Sequence, residues 1–142
     1  MSKRAQVVRE YFRAQDQGDT DGVVKLFAND ATVFNAGFPP VKGQEGVKGF
    51  CENLYSRTSA RQFTVLAIFE NGDAAVAEWE VRMSFRAGAN VAGHVLATGF
   101  EVQLRGMNKF DFKPNSDLVS CLRVFHETTS VGRLAKENAI EQ

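Results

Sequence analysis

The sequence has no excess of charge of either sign. Its 142 residues include 17 Lys and Arg and 17 Asp and Glu, so the formal net charge is zero. A nucleic-acid groove or a site for an anionic membrane surface needs a surplus of basic side chains, so we expect neither partner. No apolar run approaches the ~20 residues that span a bilayer, and the N-terminus has no apolar segment of a secretory signal. These absences predict a cytoplasmic protein without a membrane partner.

Cysteine is scarce as well. Cys51 and Cys121 are the two cysteines, and neither belongs to a CxxC or Cys/His pattern. This disfavours a disulfide framework and a zinc site, and it fits a reducing compartment. The sequence also lacks a GxGxxG after a strand and a GxxxxGK[ST] motif, so it offers no support for nucleotide binding. We therefore expect no metal and no cofactor.

The sequence is rich instead in apolar side chains, and in phenylalanine above all. Hydrophobic residues make up 44% of the chain, and 12 Phe accompany two Tyr and one Trp. This content is enough for one core. It indicates an interior with a large aromatic surface.

The chain divides into a helical first part and a strand-rich second part. Apolar residues recur at helical spacing in the first part and alternate in the second, where residues 71–73 give a tight-turn signal. The predicted helices are 5–17, a short segment after Asp19 that stops near 29–30, a third that opens at 43–45, and a short one in the tail 131–142. The predicted strands are 31–35, 63–70, 74–85, 100–112 and 118–127.

Helices followed by antiparallel hairpins are typical of the α+β class. We predict one domain over residues 1–142 with its core at about 5–127. In this domain one curved antiparallel sheet wraps on the N-terminal helices.

Strand alternation assigns side chains to the two faces of that sheet. The predicted inward set is Trp79, Val81, Met83 and Phe85 in one strand, Val102, Leu104, Asn108, Phe110 and Phe112 in the next, and Val119, Cys121, Arg123 and Phe125 in the last. Asn108 and Arg123 are the polar members of this set. Buried polar groups need partners, so these two are candidate functional residues.

Several segments together resemble a known family. They are Tyr11-Phe12, Gly18-Asp19, residues 26–33 (LFANDATV), Gly43 to Val47, and the last strand. Over roughly residues 5–127 the chain resembles the SnoaL-like or ketosteroid-isomerase-like branch of the nuclear-transport-factor-2 superfamily. The resemblance implies a cone-shaped α+β fold that encloses an apolar pocket and often forms homodimers. The superfamily includes isomerases, cyclases, dehydratases, epoxide hydrolases and binding modules, so fold alone settles little about chemistry.

The resemblance to ketosteroid isomerases implies roles for three residues. Tyr11 matches the tyrosine that donates to the developing oxyanion, and Asn108 matches the second donor, a protonated aspartic acid in those enzymes. An amide can replace that acid as a donor. Asn35 takes the position of the aspartate base, and a neutral carboxamide accepts no proton near neutral pH. The isomerase mechanism therefore loses its usual base.

Limonene-epoxide hydrolases are similar around residues 35–43, including Pro39-Pro40, and their water-positioning asparagine corresponds to Asn35. Two of their carboxylates fall at Met83 and Arg123 in this sequence. Water activation by that route is therefore not supported. The pocket carboxylate of SnoaL-type aldol cyclases has no clear counterpart either.

Each candidate also has a structural interpretation. Tyr11 fits a core tyrosine, Asn35 fits a strand-ending turn former, and Arg123 fits an ion pair as well as it fits a ligand contact. His94 lies in a Gly-rich connection and is expected to be exposed, and His126 is expected outside the pocket. Asn108 is the hardest to explain structurally, because it faces a phenylalanine-rich surface.

We interpret the chain as a small-molecule pocket protein whose partner is a hydrophobic compound. One hypothesis is an isomerase, cyclase or dehydratase acting on a hydrophobic carbonyl or polycyclic substrate, with Tyr11, Asn35, Asn108 and Arg123 as candidate catalytic residues. The alternative is a non-catalytic binding module for an apolar ligand. The predicted pocket lining is Val33, Phe50, Trp79, Val81, Met83, Phe85, Phe110, Phe112, Cys121 and Phe125.

A homodimer is predicted through the outer face of the sheet, which offers Arg82, Ser84, Arg105, Met107, Leu122 and Val124.

Overall fold

The computed structural model describes residues 1–140, which contain four helices and eight strands. The helices are α1 (Lys3–Gln17), α2 (Thr20–Val24), α3 (Gly43–Arg57) and α4 (Thr129–Glu137), and the strands are β1 (Phe27–Asn35), β2 (Val41–Lys42), β3 (Thr58–Asn71), β4 (Ala74–Phe85), β5 (Asn90–Val91), β6 (His94–Val95), β7 (Phe100–Phe112) and β8 (Val119–His126). The predicted α+β class is confirmed. No helix in the described range is both long and apolar enough to cross a membrane.

Six of the strands form one curved, open sheet in the order β2-β1-β8-β7-β4-β3. All neighbours in this sheet are antiparallel except β1 and β8, which are parallel. The prediction of a purely antiparallel sheet is therefore wrong at this one pair. β1 and β8 are far apart in sequence, so no hairpin fixes their relative direction.

Helix α1 packs across the concave face of this sheet, against β3 and β4. The Ser2 hydroxyl accepts a hydrogen bond from the Ala5 N–H at the N-terminus, and Gly18 ends the helix with a left-handed backbone (φ 64°). Only a residue that tolerates positive φ ends a helix in this way without strain. The buried face of α1 includes Tyr11 and Gln15, one turn apart.

Several boundaries differ from the sequence prediction, and β3 begins at Thr58 rather than at 63. Helix α2 ends at Val24, and β1 begins at Phe27 rather than at 31, because the N–H of Val119 in β8 donates to the Leu26 carbonyl and brings this segment into the sheet. The tail prediction of a helix over 131–142 is confirmed in part: α4 begins at Thr129 and ends at Glu137. Residues 141–142 lie outside the described residues.

A β-bulge in β8 reverses the predicted orientation of that strand. Phe112 pairs with Val119 but Asp111 pairs with Cys121, so Ser120 is an extra residue, and its hydroxyl donates to the Asp111 carbonyl. One extra residue moves every following side chain to the other face.

The prediction that Cys121, Arg123 and Phe125 face the interior is therefore wrong. The residues predicted for the outer face, Leu122 and Val124, are instead 0% and 9% exposed and belong to the core. Leu122 and Val124 therefore cannot belong to the outer face of the sheet through which the homodimer was predicted, and that prediction is wrong at these two residues.

Candidate functional site

A cavity of about 450 Å³ lies between the concave face of the sheet and helices α1 and α3. This volume is within the range of small-molecule pockets. The lining residues are Tyr11, Phe12, Gln15, Asn35, Ala36, Gly37, Phe38, Phe50, Leu54, Arg57, Phe63, Trp79, Val81, Met83, Phe85, Val91, Ala92, Leu104, Asn108, Val124, His126, Thr128 and Val131. Most of them are apolar, so the few polar side chains stand out.

Half of the predicted pocket lining is found in this cavity. Phe50, Trp79, Val81, Met83 and Phe85 line it, as the helical spacing of α3 and the alternation of β4 indicate.

Three further predicted lining residues, Val33, Phe110 and Phe112, are core residues instead. Phe110 packs edge-on against the Tyr11 ring with centroids 5.2 Å apart, and the Arg4 guanidinium lies 5.0 Å from the Phe112 ring. These aromatic contacts belong to the core, and the three residues do not line the cavity.

The indole of Trp79 fixes the orientation of the Asn108 amide. Trp79 pairs across the sheet with Gly106, whose missing side chain leaves room for the indole ring. The indole Nε1–H donates to the Asn108 Oδ1 at 3.0 Å, and both residues are buried. Because the carbonyl oxygen of the Asn108 amide accepts from Trp79, its N–H₂ group is left to donate to the neighbouring Tyr11 hydroxyl oxygen or to a ligand.

A buried chain of hydrogen bonds orients Tyr11 in the same way. The Tyr55 hydroxyl donates to the Gln15 Oε1 at 2.7 Å, and the Gln15 Nε2 donates to the Tyr11 hydroxyl oxygen at 3.1 Å. The same Nε2 lies 4.0 Å from the Cys51 sulfur, where it also acts as the donor. Since the oxygen of Tyr11 accepts a hydrogen bond, its own proton is left for another acceptor.

Tyr11 is held in its neutral form. Burial raises the pKa of the Tyr11 phenol far above its ordinary value, and the side chains of Gln15 and Asn108 oppose this shift only in part. Tyr11 therefore keeps its proton throughout the physiological pH range and serves as a hydrogen-bond donor. Tyr11 and Asn108 together supply an O–H and an N–H to a cavity that is otherwise mainly apolar.

Asn35 lines the cavity at the end of β1, where the loop to β2 begins. Its backbone carbonyl accepts from the Phe38 N–H at 3.0 Å, which closes a turn around Gly37 (φ 83°). Asn35 thus serves as the turn residue that its sequence context indicates, and its side chain also belongs to the cavity wall. Its carboxamide accepts no proton near neutral pH.

His126 and Arg57 line the cavity although the sequence analysis did not place them there. His126 faces inward because of the bulge at Ser120, which sequence alternation alone does not reveal. Arg57 ends α3 and follows Phe50 and Leu54 on the same helical face, so a helical projection would have found it.

Arg123 lies on the outer face of the sheet, with its guanidinium 4.5 Å from the Phe34 ring. Cys121 and Phe125 are also absent from the cavity lining, as is His94, which is half-buried in β6. The structure therefore brings Tyr11, Asn35 and Asn108 together and separates Arg123 from them. Within residues 1–140, no three His, Cys, Asp or Glu side chains are grouped as a metal site.

A family model for the SnoaL-like domain matches residues 8–119. The chain belongs to the SnoaL-like domain family. This membership agrees with the resemblance found in the sequence and with the ketosteroid-isomerase-like branch of the nuclear-transport-factor-2 superfamily. Its members share a cone of curved sheet and helices.

Solved structures with the same fold are distant in sequence. A proposed polyketide cyclase from Pseudomonas putida KT2440 is 17% identical (TM-score 0.81), with 99% of this chain and 100% of that one covered. A protein of ketosteroid-isomerase-like fold from Catenulispora acidiphila DSM 44928, in complex with trimethylamine, is 15% identical (TM-score 0.73, 92% of each chain). An LEH-like epoxide hydrolase from M. tuberculosis is 14% identical (TM-score 0.70, 95% and 90%). At these identities the likeness shows the fold of this SnoaL-like chain and leaves its chemistry open.

Proposed function

We propose that this SnoaL-like protein binds a hydrophobic carbonyl compound and catalyses proton transfer next to the carbonyl, as an isomerase, cyclase or dehydratase does. The observation that carries the proposal is the pair formed by Tyr11 and Asn108. Gln15 donates a hydrogen bond to the Tyr11 hydroxyl oxygen, and Trp79 donates one to the Asn108 amide oxygen. Each of these bonds orients the side chain and leaves a proton of Tyr11 or Asn108 available to a ligand. The apolar wall around them supplies the binding surface.

Such a pair suits a reaction in which negative charge develops on oxygen. Removal of a proton beside a carbonyl turns the carbonyl oxygen into an enolate, and prearranged donors in a dry site stabilise that charge most strongly. A neutral tyrosine and an amide are donors of this kind. Neither of them accepts the proton that leaves carbon.

His126 is the proton acceptor in this proposal. Its Nδ1 lies 3.1 Å from the Glu127 backbone carbonyl, which favours the tautomer with a proton on Nδ1. That tautomer leaves Nε2 as an acceptor. Among the described residues that line the cavity, His126 is the side chain best suited to act as a base near neutral pH, because Tyr11 stays protonated and Arg57 is a cation.

The test measures proton transfer without requiring knowledge of the natural substrate. 2-Tetralone is a small hydrophobic ketone, and exchange of its C1 protons with deuterated water can be followed by NMR. We expect the wild-type protein to accelerate this exchange. His126→Gln should lower the acceleration by about 10²-fold or more, the usual contribution of a positioned base, and Tyr11→Phe should also lower it.

The other histidine provides the matched control. His94→Gln makes the same change outside the cavity and should leave exchange at the wild-type rate. Equal rates for wild type and His126→Gln would contradict the assignment of His126, and no acceleration by the wild type would contradict proton transfer altogether.

A non-catalytic binding module is the alternative. The observation in its favour is that no Asp or Glu lines the cavity in residues 1–140, so the carboxylate bases of related enzymes have no counterpart there. Binding of 2-tetralone without accelerated exchange, with affinity that falls in Tyr11→Phe and Asn108→Leu, would support this alternative.

A further inference from the structure

Arg57 is a cation in the cavity wall without an anionic partner. It is the last residue of α3 and half-buried, and among the described residues no carboxylate forms an ion pair with it. Its Nε donates to the Asn53 carbonyl at 3.2 Å, which holds the side chain against the end of its own helix. This contact uses one of the five N–H groups of the guanidinium. The N–H groups of the two Nη atoms remain available to donate to a ligand.

The position of Arg57 is at the open end of the cavity. Its guanidinium lies 5.4 Å from the centre of the Phe38 ring, in the loop between β1 and β2, and that ring is itself exposed. Asn35 and Gly37 of the same loop also line the cavity. Tyr11 and Asn108 are buried in its wall, so the cavity offers neutral donors inside and a positive charge at its mouth.

The neighbouring arginines are engaged differently. Arg61 donates to the Gln15 carbonyl and the Thr58 hydroxyl, and Arg86 donates to the Thr58 carbonyl. Neither lines the cavity. Arg57 is therefore the guanidinium in this part of the fold that a bound ligand can reach.

Burial of Arg57 has a cost that a ligand can offset. Removal from water lowers the pKa of the Arg57 guanidinium, which shows that the charged form is partly desolvated. A desolvated charge is unfavourable unless an opposite charge or hydrogen-bond acceptors compensate it. The planar pair of Nη groups matches one carboxylate in both geometry and charge.

We propose that Arg57 binds a carboxylate on the ligand, so that the ligand is an amphipathic keto acid with its apolar part in the cavity. This inference rests on the proposed function, because the carbonyl at Tyr11 and Asn108 defines the other end of the ligand. Apart from His126, the described lining residues include no basic side chain besides Arg57, which favours the singly charged carboxylate over a phosphate. Arg57 is a specificity-determining residue in this assignment.

The experiment compares acids with their methyl esters. A homologous series of ω-benzoylalkanoic acids places an aryl ketone and a carboxylate at increasing separation, and each methyl ester has the same shape without the charge. Dissociation constants are measured by calorimetry for wild type, Arg57→Gln, Arg57→Lys and Tyr11→Phe. Arg86→Gln is the matched control, since Arg86 follows β4, donates to the Thr58 carbonyl beside the same helix end, and lies outside the cavity lining.

We expect the best acid to bind wild type at least about tenfold more tightly than its ester, which is about 1.4 kcal/mol. Arg57→Gln should abolish this preference and leave the affinity for the ester unchanged, whereas Arg57→Lys keeps part of it and Arg86→Gln keeps all of it. Tyr11→Phe should weaken acid and ester equally, because both carry the ketone.

The outcomes separate this inference from the proposed function. If esters bind in a Tyr11-dependent manner but no acid is preferred, or if the preference survives in Arg57→Gln, the assignment of Arg57 is wrong and the carbonyl site stands. Equal losses for acid and ester in Arg57→Gln would show that Arg57 only supports the loop and helix end. Failure of every acid and ester to bind wild type would overturn both proposals.

Discussion

Arg57 and Arg123 carry the same charge in opposite surroundings. Arg57 faces the cavity, whereas Arg123 lies on the convex face of the sheet over the Phe34 ring. A guanidinium on an exposed aromatic face contributes about 0.5–1 kcal/mol. We therefore propose for Arg57 the role that the sequence suggested for Arg123, contact with a ligand oxygen.

This placement predicts a small and purely structural effect of Arg123→Met. The free energy of unfolding should fall by at most about 1 kcal/mol, because only the contact with Phe34 is lost. The affinity for a hydrophobic ketone such as 2-tetralone should stay at the wild-type value. Urea denaturation and calorimetry measure the two quantities, and a clear loss of ketone affinity would place Arg123 in the site after all.

A second prediction concerns Asn35, which stands where related isomerases have a carboxylate base. Asn35→Asp is nearly isosteric and introduces a carboxylate into the cavity wall. In a His126→Gln background, it should restore deuterium exchange at C1 of 2-tetralone, because a positioned base contributes about 10²–10⁴-fold. The restored rate should rise with pH through the pKa of the new carboxyl, since only its ionised form accepts a proton.

The control for this rescue is a third change, Tyr11→Phe. A base at position 35 works only if the enolate oxygen is stabilised, so the triple variant should lose most of the regained exchange. If the exchange restored by Asn35→Asp is equally fast with and without Tyr11→Phe, the new carboxylate acts on ketone outside the proposed site.

At the scale of elements, the β4–β7 pair places Trp79 over Gly106 and thereby positions Asn108. A Cβ at residue 106 would collide with the Trp79 ring and with the Phe125 backbone carbonyl. Gly106→Ala should therefore lower the free energy of unfolding by about 1–3 kcal/mol, the usual cost of overpacking. It should also break the hydrogen bond from the Trp79 indole to Asn108, which the indole N–H signal in NMR would report.

Gly49 in α3 is the matched control for this change. A Cβ there meets no atom within 4 Å, and the residue is exposed in the middle of a helix. Gly49→Ala should therefore stabilise the protein by about 0.5–1 kcal/mol. An unchanged stability and indole signal in Gly106→Ala would show that Trp79 does not depend on the space at Gly106.

The bulge in β8 shows what the sequence could and could not predict about the site. Asn108 and the inward face of β4 follow from strand alternation, which is a local property. Tyr11 and Asn35 are identified from the resemblance to ketosteroid isomerases. The extra residue Ser120 depends on pairing with β7, so alternation counted from one end of β8 gives the wrong face for the rest. Arg57 could have been found from the apolar face of α3.

The two cysteines should differ in reactivity, because the bulge places Cys121 on the outer face of the sheet whereas Cys51 is buried in α3. Burial raises the pKa of the Cys51 thiol to about 11, and the residue is fully buried, so Cys51 has almost no thiolate at pH 8 and no access to reagent. Burial also raises the pKa of Cys121, but this thiol is half-exposed on the outer face. Ellman's reagent at pH 8 should therefore modify Cys121 alone in the folded protein, and Cys51 only after unfolding.

A ligand sharpens this test of the strand's orientation. Because Cys121 faces away from the cavity, saturating 2-tetralone should not slow its modification. Protection of Cys121 by the ketone would return it to the pocket lining that the sequence predicted.

At the scale of the whole molecule, pairing between segments that are distant along the chain accounts for the features of the fold that the sequence did not predict. The α+β class, the β4 and β7 strands and the concave apolar face follow from composition and periodicity. The parallel pairing of β1 with β8 and the early start of β1 depend on contacts between segments that are distant along the chain. The same pairing brings outward side chains of β1, β7 and β8 together.

These side chains form a patch on the convex face, made of Phe34, Met107 and Phe125, with the Arg123 guanidinium 4.5 Å from the Phe34 ring. Met107 and Phe125 pair directly across β7 and β8, and the three are 37%, 48% and 57% exposed. Acidic Glu80 and basic Arg105 pair on the same face of the sheet. An apolar centre with both charges beside it suits contact with a second copy of the same face, because a two-fold axis can bring opposite charges together.

We therefore predict a homodimer through this patch, with Phe125 in place of Leu122 and Val124 as its apolar contribution from β8. Sedimentation at tens of micromolar protein should give a dimer for wild type. Phe125→Glu should give a monomer with an intact fold, because each copy would bring an unpaired charge to the centre of the interface. Phe69→Glu is the matched control on the edge strand β3, where a phenylalanine of similar exposure lies outside the patch, and it should remain dimeric. A monomeric wild type, or a dimer that tolerates Phe125→Glu, would mean that the patch serves no contact between copies of this chain.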